Sequence, residues 1–295
     1  MRTYNGDTFG EVYEKALRDT LENPDYTSKP RGMEIKEICN AALVIEDPYY
    51  PLYENKKRSS QFKYIAGETV WYFTGRDDID FINKYSQFWK QLDNGDGTVN
   101  SAYGNLIFKE RLSDGRNQYQ WAMDSLIDDK DSRQAIIHFN KPSHQWKNNK
   151  DFVCTLNGVF QIREDRLNFT VDMRSNDLIL GTPTDIAFFC LLQQQMLKHL
   201  QIFYPSLRMG SYTHIVHSLH IYEKHFDLVK GMLKHPFTDM SYPPFKENLI
   251  TIKGDPTDNL NMLEMDILEA GPTTIFKDLL FKWLSSNSVE YNKDI

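Results

Sequence analysis

The stretch Met173-Arg174-Ser175-Asn176-Asp177-Leu178-Ile179-Leu180-Gly181 sets an arginine, a hydroxyl and a carboxylate at the end of a strand, ahead of a glycine and a helix led by Pro183. A strand end feeding a turn is where α/β proteins expose reactive groups. A guanidinium fork beside a hydroxyl matches the oxygens of a phosphate, so Arg174 and Ser175 suit a phosphate site. On this stretch alone, a surface pair between Arg174 and Asp177 explains the residues slightly better.

Outward from that stretch, 153–162 and 167–173 read as strands joined by Arg163-Glu164-Asp165-Arg166, a hairpin-loop length. A further strand is expected over 134–140, and 128–132 is a polar break. The longest apolar-periodic segment, 183–203, reads as a buried helix, and 214–222 as a strand passing into a helix that runs to about 233. Toward the N-terminus, apolar residues at helical spacing behind Asp7 and Thr8 predict a helix that ends at Asn23-Pro24. One or two strands are expected over 33–47, an aromatic-rich helix over 60–74 stopping at Gly75, and another helix over 79–92. Residues 93–97 form a loop and 117–127 an amphipathic segment. Periodicity says little about 236–295. No repeat or linker interrupts the chain, so a single domain over 1–295 is expected.

Composition narrows the function classes. Of 295 residues, 40% are apolar and 25% charged, which is ordinary globular usage and excludes a disordered tail protein. No apolar run approaches the ~20 residues that span a bilayer, and the first residues lack the apolar core of a signal peptide. Three cysteines without a Cys-x-x-Cys pair argue against a disulfide framework or a cysteine zinc site. A net charge of −7 argues against a broad nucleic-acid surface, yet leaves room for one phosphate pocket. A soluble, intracellular protein without a membrane or nucleic-acid partner is expected. His214, His217, His220 and His225 lie close together, but strand alternation sends the first two to opposite faces and no carboxylate or thiol cluster accompanies them. No metal site is expected.

Three further stretches stand out: Gly67-Glu68-Thr69-Val70-Trp71-Tyr72, Ser101-Ala102-Tyr103-Gly104 and Asp151-Phe152-Val153-Cys154-Thr155. With the first, their order and spacing resemble the thymidylate synthase superfamily, most closely its phage-type branch of deoxycytidylate hydroxymethylases. Arg174-Ser175-Asn176-Asp177 followed by Leu180-Gly181 is similar to the family's arginine-serine-x-aspartate motif, and Val153-Cys154-Thr155 to its nucleophile strand. Glu68-Thr69-Val70-Trp71 and Tyr103-Gly104 resemble its Glu-x-x-Trp helix and Tyr-Gly turn. Asp131-Ser132-Arg133 resembles its subunit-crossing motif, His220-Ile221-Tyr222 its sugar-binding pair, and Arg31-Gly32 its N-terminal phosphate arginine. The resemblance runs over about 60–235.

The resemblance implies an α+β fold, a mixed sheet flanked by helices with one sheet face used for dimerisation. It implies a homodimer in which Arg133 reaches the phosphate of the other subunit. Cys154 would be the nucleophile, with Glu68, Tyr103 and Asp185 as further catalytic groups. Arg31, Arg133, Arg174, Ser175, Asp177, Asp185, His220 and Tyr222 would hold a pyrimidine nucleoside monophosphate. Trp89, Asp177 and Gly181 would contact the one-carbon donor, 5,10-methylenetetrahydrofolate, although a core tryptophan also explains Trp89. A phage-encoded chain of this kind would work in its host's cytoplasm.

Elementary chemistry agrees. A pyrimidine C5 is a poor nucleophile until a thiolate adds across the 5,6 double bond. That asks for one accessible thiol near basic groups, which Cys154 supplies; Cys39 and Cys190 read as small buried hydrophobes. Glu68 lies in an aromatic helix, so either it faces solvent or it is a functional acid in a cleft. Where thymidylate synthases carry asparagine in Gly-x-Pro-Phe-Asn-Ile, this chain has Gly181-Thr182-Pro183-Thr184-Asp185-Ile186. Uracil offers an N3–H donor and an O4 acceptor; cytosine offers the reverse. A protonated carboxyl accepts from N4–H and donates to N3; a carboxylate would match an N3-protonated ring. A mismatched buried pair costs a few kcal/mol, roughly a hundredfold in discrimination. Asp185 therefore points to a cytosine nucleotide, or else it caps the helix that follows.

The exocyclic methylene left on the ring then takes either hydride, giving methyl, or water, giving hydroxymethyl. Thr155 in place of the usual histidine is shared with the hydroxymethylase branch, and Glu68 would orient the water. The tail 288–295 lacks the closing apolar residues of ordinary thymidylate synthases apart from Ile295, which fits a water-admitting site. A methyl-forming thymidylate synthase, a cytidylate methylase or CMP hydroxymethylase, and a binder that has lost catalysis remain alternatives.

Overall fold

In chain order the elements are β1 (Arg2–Gly6), α1 (Phe9–Glu22), β2 (Tyr26–Ser28), β3 (Ile35–Ile45), β4 (Leu52–Asn55), α2 (Phe62–Phe73), α3 (Ile79–Ile82), α4 (Gln118–Asp128), β5 (Ile136–His138), β6 (Thr155–Arg163), β7 (Arg166–Met173), β8 (Asn176–Asp177), α5 (Thr182–Leu200), β9 (Arg208–Tyr222), α6 (Phe226–Met232) and β10 (Phe237–Met240). The structure is a computed structural model that describes residues 1–58, 60–241, 248–258 and 260. The tail reading over 288–295 lies outside the described residues. The described residues fall into two compact units: one drawn from 1–60, 125–136 and 154–240, the other from 61–124, 137–153 and 241–295. No helix among the described residues is long and apolar enough to cross a membrane.

The first unit is built on a mixed sheet in which β1, β3, β9, β7 and β6 lie side by side, with β2 on β3 and β8 on β9. The β1–β3 and β7–β9 pairs are parallel, and β3–β9 and β6–β7 antiparallel. Along β7 the residues alternate: Leu167, Phe169, Val171 and Met173 are buried, while Asn168, Thr170 and Asp172 are half-buried. Alternation of this kind buries one sheet face and leaves the other partly open. Phe160 and Phe169 stack face to face across the β6–β7 pair, ring centroids 3.9 Å apart. Such cross-strand aromatic pairs contribute about 1 kcal/mol.

Thr8 caps α1 by accepting from Glu11 N, and Asn23 closes it, as the sequence predicts. The single strand β3 occupies 35–45, and α5 is buried along nearly its whole length. The β6–β7 loop is tighter than expected: Arg163 pairs with Arg166, and only Glu164 and Asp165 turn, both at positive φ (50° and 56°). Two successive left-handed residues match the twist of a hairpin. Two expectations need correction. Cys154 is not in a strand but in the bend just before β6. And β9 starts at 208, not 214; its first residues are polar because Ser211 and Thr213 lie on the less buried phase, and Gly210 is required where a Cβ would meet Asn168 Oδ1 at 2.2 Å.

In the second unit α2 buries ten of its twelve residues and stops at Gly75, whose φ of +71° suits glycine. The helix expected over 79–92 is instead one turn, α3, and a separate 3₁₀ turn at Gln87–Gln91. Asp78 starts the first by accepting from Phe81 N, and Ser86 starts the second by accepting from Phe88 N. A local serine acceptor offers the backbone an alternative to continuing the helix.

Candidate active site

Cys154 and Arg174 lie opposite one another at the open end of the β6–β7 hairpin. Arg174 N donates to Cys154 O at 2.9 Å, and the guanidinium Nη2 donates to Cys154 Sγ at 3.4 Å. A bulge makes this pairing. Asn157 faces Asp172, and one-for-one register would carry Cys154 to Ser175; the shift between Thr155 and Asn157 moves it to Arg174. Bulges re-aim side chains in this way beside active sites. Of the two remaining thiols, Cys190 is fully buried and burial pushes its thiol well up. Cys39, expected to be buried, is only half-buried; burial pushes its thiol up, and Glu37 and Asp25 add to the shift.

Behind this pair, a polar network enters α5. Asp185 is not the helix cap: Gly181 holds that place, and Asp185 N already donates to Gly181 O at 3.0 Å. Its side chain is half-buried, and desolvation pushes the carboxyl up to about 7, against a partial lowering by the Asn176 hydrogen bond. Asn176 Nδ2 donates to Asp185 Oδ2 at 2.7 Å. Asn176 Oδ1 in turn accepts from the Thr182 hydroxyl and lies 3.3 Å from His214 Nε2, whose Nδ1 is 2.8 Å from Tyr212 Oη. Burial pushes His214 down to about 3, so it is neutral. The absent side chain of Gly181 gives this network room, since a Cβ there would sit 2.9 Å from Asn176 Nδ2 and 3.3 Å from Asp185 Oδ2.

Around β8 and the end of β9 lie several residues expected to bind a nucleotide. Asp177 pairs in register with His220, and its Oδ1 accepts from Ile179 N at 2.7 Å. His220 is buried, its Nδ1 3.1 Å from Ser218 O, and its ring meets Tyr222 edge-on at 5.1 Å. Burial raises the Tyr222 hydroxyl; Asp177 and Cys154 raise it further, and Arg31 lowers it. Arg31, Asp177 and Cys154 thus all act on one phenol. Arg31 holds a left-handed backbone (φ 53°) at an exposed turn, a strain that non-glycine residues seldom carry. Ser175 is half-buried beside Arg174, and Arg133 is exposed after the buried Ser132.

The second unit carries the acid. Glu68 is buried, and its Oε1 accepts from Tyr64 Oη at 2.6 Å and from Tyr72 Oη at 3.3 Å. Trp89 Nε1 donates to Tyr64 Oη at 3.0 Å, and its ring packs on Trp71 at 5.0 Å, so Trp89 is a core residue. Tyr103 stacks on Tyr72 at 5.2 Å. Gly104 lets that stack form, because a Cβ there would fall 1.8 Å from Tyr72 O. Asp151, buried, accepts from Ser101 N at 2.6 Å and so ties the Tyr103 loop to the segment that leads into Cys154. Among the described residues, no three His, Cys, Asp or Glu side chains are placed to hold a metal ion.

Asn176, Thr182, Tyr212, His214, Tyr64 and Asp151 are participants that the sequence reading did not assign. One signal was available for two of them: Tyr212 and His214 are polar yet fall on the buried phase of β9.

Residues 11–267 match the thymidylate synthase family. The chain belongs to that family. Its members named here are one-carbon transferases. It is similar to the deoxycytidylate 5-hydroxymethyltransferase of Enterobacteria phage T6, 31% identical over 71% of this chain and 84% of the relative. The T4 enzyme of the same name is 30% identical over 75% and 89%. A deoxyuridylate hydroxymethyltransferase of Bacillus phage SP01 is 29% identical over 75% of this chain and 59% of that one. In fold it resembles the thermostable thymidylate synthase A of Bacillus subtilis, with a TM-score of 0.63 over 80% of this chain and 87% of the other at 19% identity.

The site geometry generates a first prediction. A guanidinium bonded to sulfur favours the thiolate, which is the form that alkylates. Limited iodoacetamide, followed by peptide mapping, is expected to modify Cys154 ahead of Cys39 and Cys190. Arg174→Gln is expected to slow Cys154 labelling about tenfold; an unchanged rate would separate Arg174 from the reactivity of the thiol.

Proposed function

We propose that the protein is a folate-dependent deoxycytidylate 5-hydroxymethyltransferase. One observation supports the substrate: Asp185, half-buried at the start of α5 with its carboxyl kept protonated to about 7, stands where the resemblance places the asparagine of thymidylate synthases. A neutral carboxyl complements cytosine's N3 acceptor and N4 donor.

In this reading the Cys154 thiolate adds to C6, the 5,6 π electrons move to C5, and C5 becomes the nucleophile. Methylenetetrahydrofolate, when bound, supplies the one-carbon unit. Phe88 suits such a planar donor, being 55% exposed and held edge-on against Trp89 at 6.2 Å. Loss of the C5 proton, with the transferred carbon's bond to the folate nitrogen breaking and tetrahydrofolate leaving, gives an exocyclic methylene on the ring. Water adds to that carbon, a proton is lost from the water, and the Cys154–C6 bond breaks to return the thiolate. To Glu68, steadied by two tyrosine hydroxyls, falls the handling of the water and its proton. Arg174, Ser175 and Arg31 hold the phosphate, and His220 with Tyr222 the sugar.

With dCMP, CMP and dUMP each offered alongside methylenetetrahydrofolate, mass analysis is expected to find hydroxymethyl-dCMP. A methyl product, or turnover of dUMP in preference to dCMP, would overturn the assignment. The pH dependence follows from Asp185. The carboxyl binds its proton below about 7 and loses it above, so kcat/KM for dCMP is expected to fall as pH rises through that region. The same limb should be absent in Asp185→Asn, which is expected to shift preference toward dUMP.

We further propose one catalytic domain acting as a homodimer through the open sheet face, on which Thr170, Asp172, Ser211 and Thr213 are only half-buried. In that dimer the exposed Arg133 reaches the partner's phosphate. Mixing Arg133→Ala with Cys154→Ser subunits is expected to restore part of the activity that each lacks. Heterodimers that form but stay inactive would count against a shared site.

A further inference from the structure

Burial alone does not make Asp185 a reader of cytosine. A neutral carboxyl carries one O–H donor and one C=O acceptor, and moving the proton from one oxygen to the other reverses their order. One order complements cytosine, the other uracil. An isolated protonated aspartic acid would accept both bases, so something must fix which oxygen holds the proton.

The structure contains a group placed to do so. Asn176 Nδ2 donates to Asp185 Oδ2 at 2.7 Å, and an oxygen that receives a hydrogen bond there is held as the acceptor. The proton is then left on Oδ1. The amide's own direction matters equally, since a flipped Asn176 would present its carbonyl and draw the proton to Oδ2 instead. Two donors oppose that flip. The Thr182 hydroxyl donates to Asn176 Oδ1, and His214 Nε2 approaches the same oxygen at 3.3 Å. His214 is wholly buried and neutral, so only one ring nitrogen bears hydrogen. The tautomer that satisfies both of its contacts carries the hydrogen on Nε2, facing Asn176 Oδ1, and accepts from the Tyr212 hydroxyl, 2.8 Å away, at Nδ1. The chain of direction runs from Tyr212 through His214 and Asn176 to Asp185.

We propose that Asn176, oriented by Thr182, His214 and Tyr212, is a specificity-determining positioning residue that fixes Asp185 with Oδ2 as acceptor and Oδ1 as donor. This rests on the cytosine reading above. With that base, N4–H falls to Oδ2, whose second lone pair is free of the Asn176 bond, and N3 falls to the Oδ1 hydroxyl. None of these four residues needs to touch the reacting carbons.

The test is the ratio of kcat/KM for dCMP over dUMP in wild type, Asp185→Asn, Asn176→Ala and Tyr212→Phe. A residue that only supports the fold would lower both substrates together and leave the ratio alone. Asn176→Ala is expected to lower the ratio about tenfold, by gained dUMP turnover as well as a raised KM for dCMP. Tyr212→Phe keeps the ring and its packing, so it remains informative if Asn176→Ala folds poorly; a smaller fall in the same direction is expected. A dCMP preference that Asp185→Asn reverses, but that Asn176→Ala and Tyr212→Phe leave intact, overturns this inference alone. A wild type that does not prefer dCMP overturns it together with the cytosine reading.

Discussion

Cys154 owes its position to the register of one hairpin. Glu164 and Asp165 turn the chain in the left-handed region, which pairs Arg163 with Arg166 and fixes every pair that follows. At the other end a bulge of one residue brings Cys154, not its neighbours, against Arg174. A slip of one position sends every side chain of a strand to the opposite face. Such a slip in β6 would remove the thiol from its guanidinium and disturb the Phe160–Phe169 stack in the core at once. Packing and chemistry therefore enforce the same register, and β7, through its parallel pairing with β9, passes it on to His214 and the residues around β8.

A second constraint is that polar groups near Asp185 are buried and must satisfy one another. Leaving a buried donor or acceptor without a partner costs about 1–3 kcal/mol. Thr182, His214, Tyr212 and Asn176 meet that requirement in a chain in which each bond sets the direction of the next. The result is a carboxyl whose hold on its proton desolvation raises and whose two oxygens differ because Asn176 donates to one of them. Glu68 is held differently: two tyrosine hydroxyls donate to one of its oxygens.

Much of this was legible in the sequence, and the misses have physical causes. Periodicity exposed α1 and α5, and the Arg163–Arg166 spacing exposed the hairpin, because those signals are local. The helix expected over 79–92 failed because Ser86 supplies a nearer acceptor than the helix does. The polar start of β9 escaped the strand expected from 214 because one face of that strand is not fully covered. The motif residues Cys154, Arg174, Asp185 and Glu68 could be named through the resemblance of their motifs to the thymidylate synthase family. Asn176 could not, since it occupies the variable place in its motif and acts only through a helix that folds back on it. The bulge that aims Cys154 leaves no mark in composition or alternation.

The central claim is that Cys154 attacks a cytosine ring that Asp185 has selected. A 5-fluorinated dCMP tests it most directly, because fluorine cannot leave C5 as a cation and the covalent adduct cannot resolve. Incubated with methylenetetrahydrofolate and digested, the protein is expected to carry the nucleotide and the folate on the peptide that contains Cys154, with far less adduct from the 5-fluorinated dUMP. No adduct, an adduct on Cys39 or Cys190, or equal trapping by both nucleotides would contradict the account.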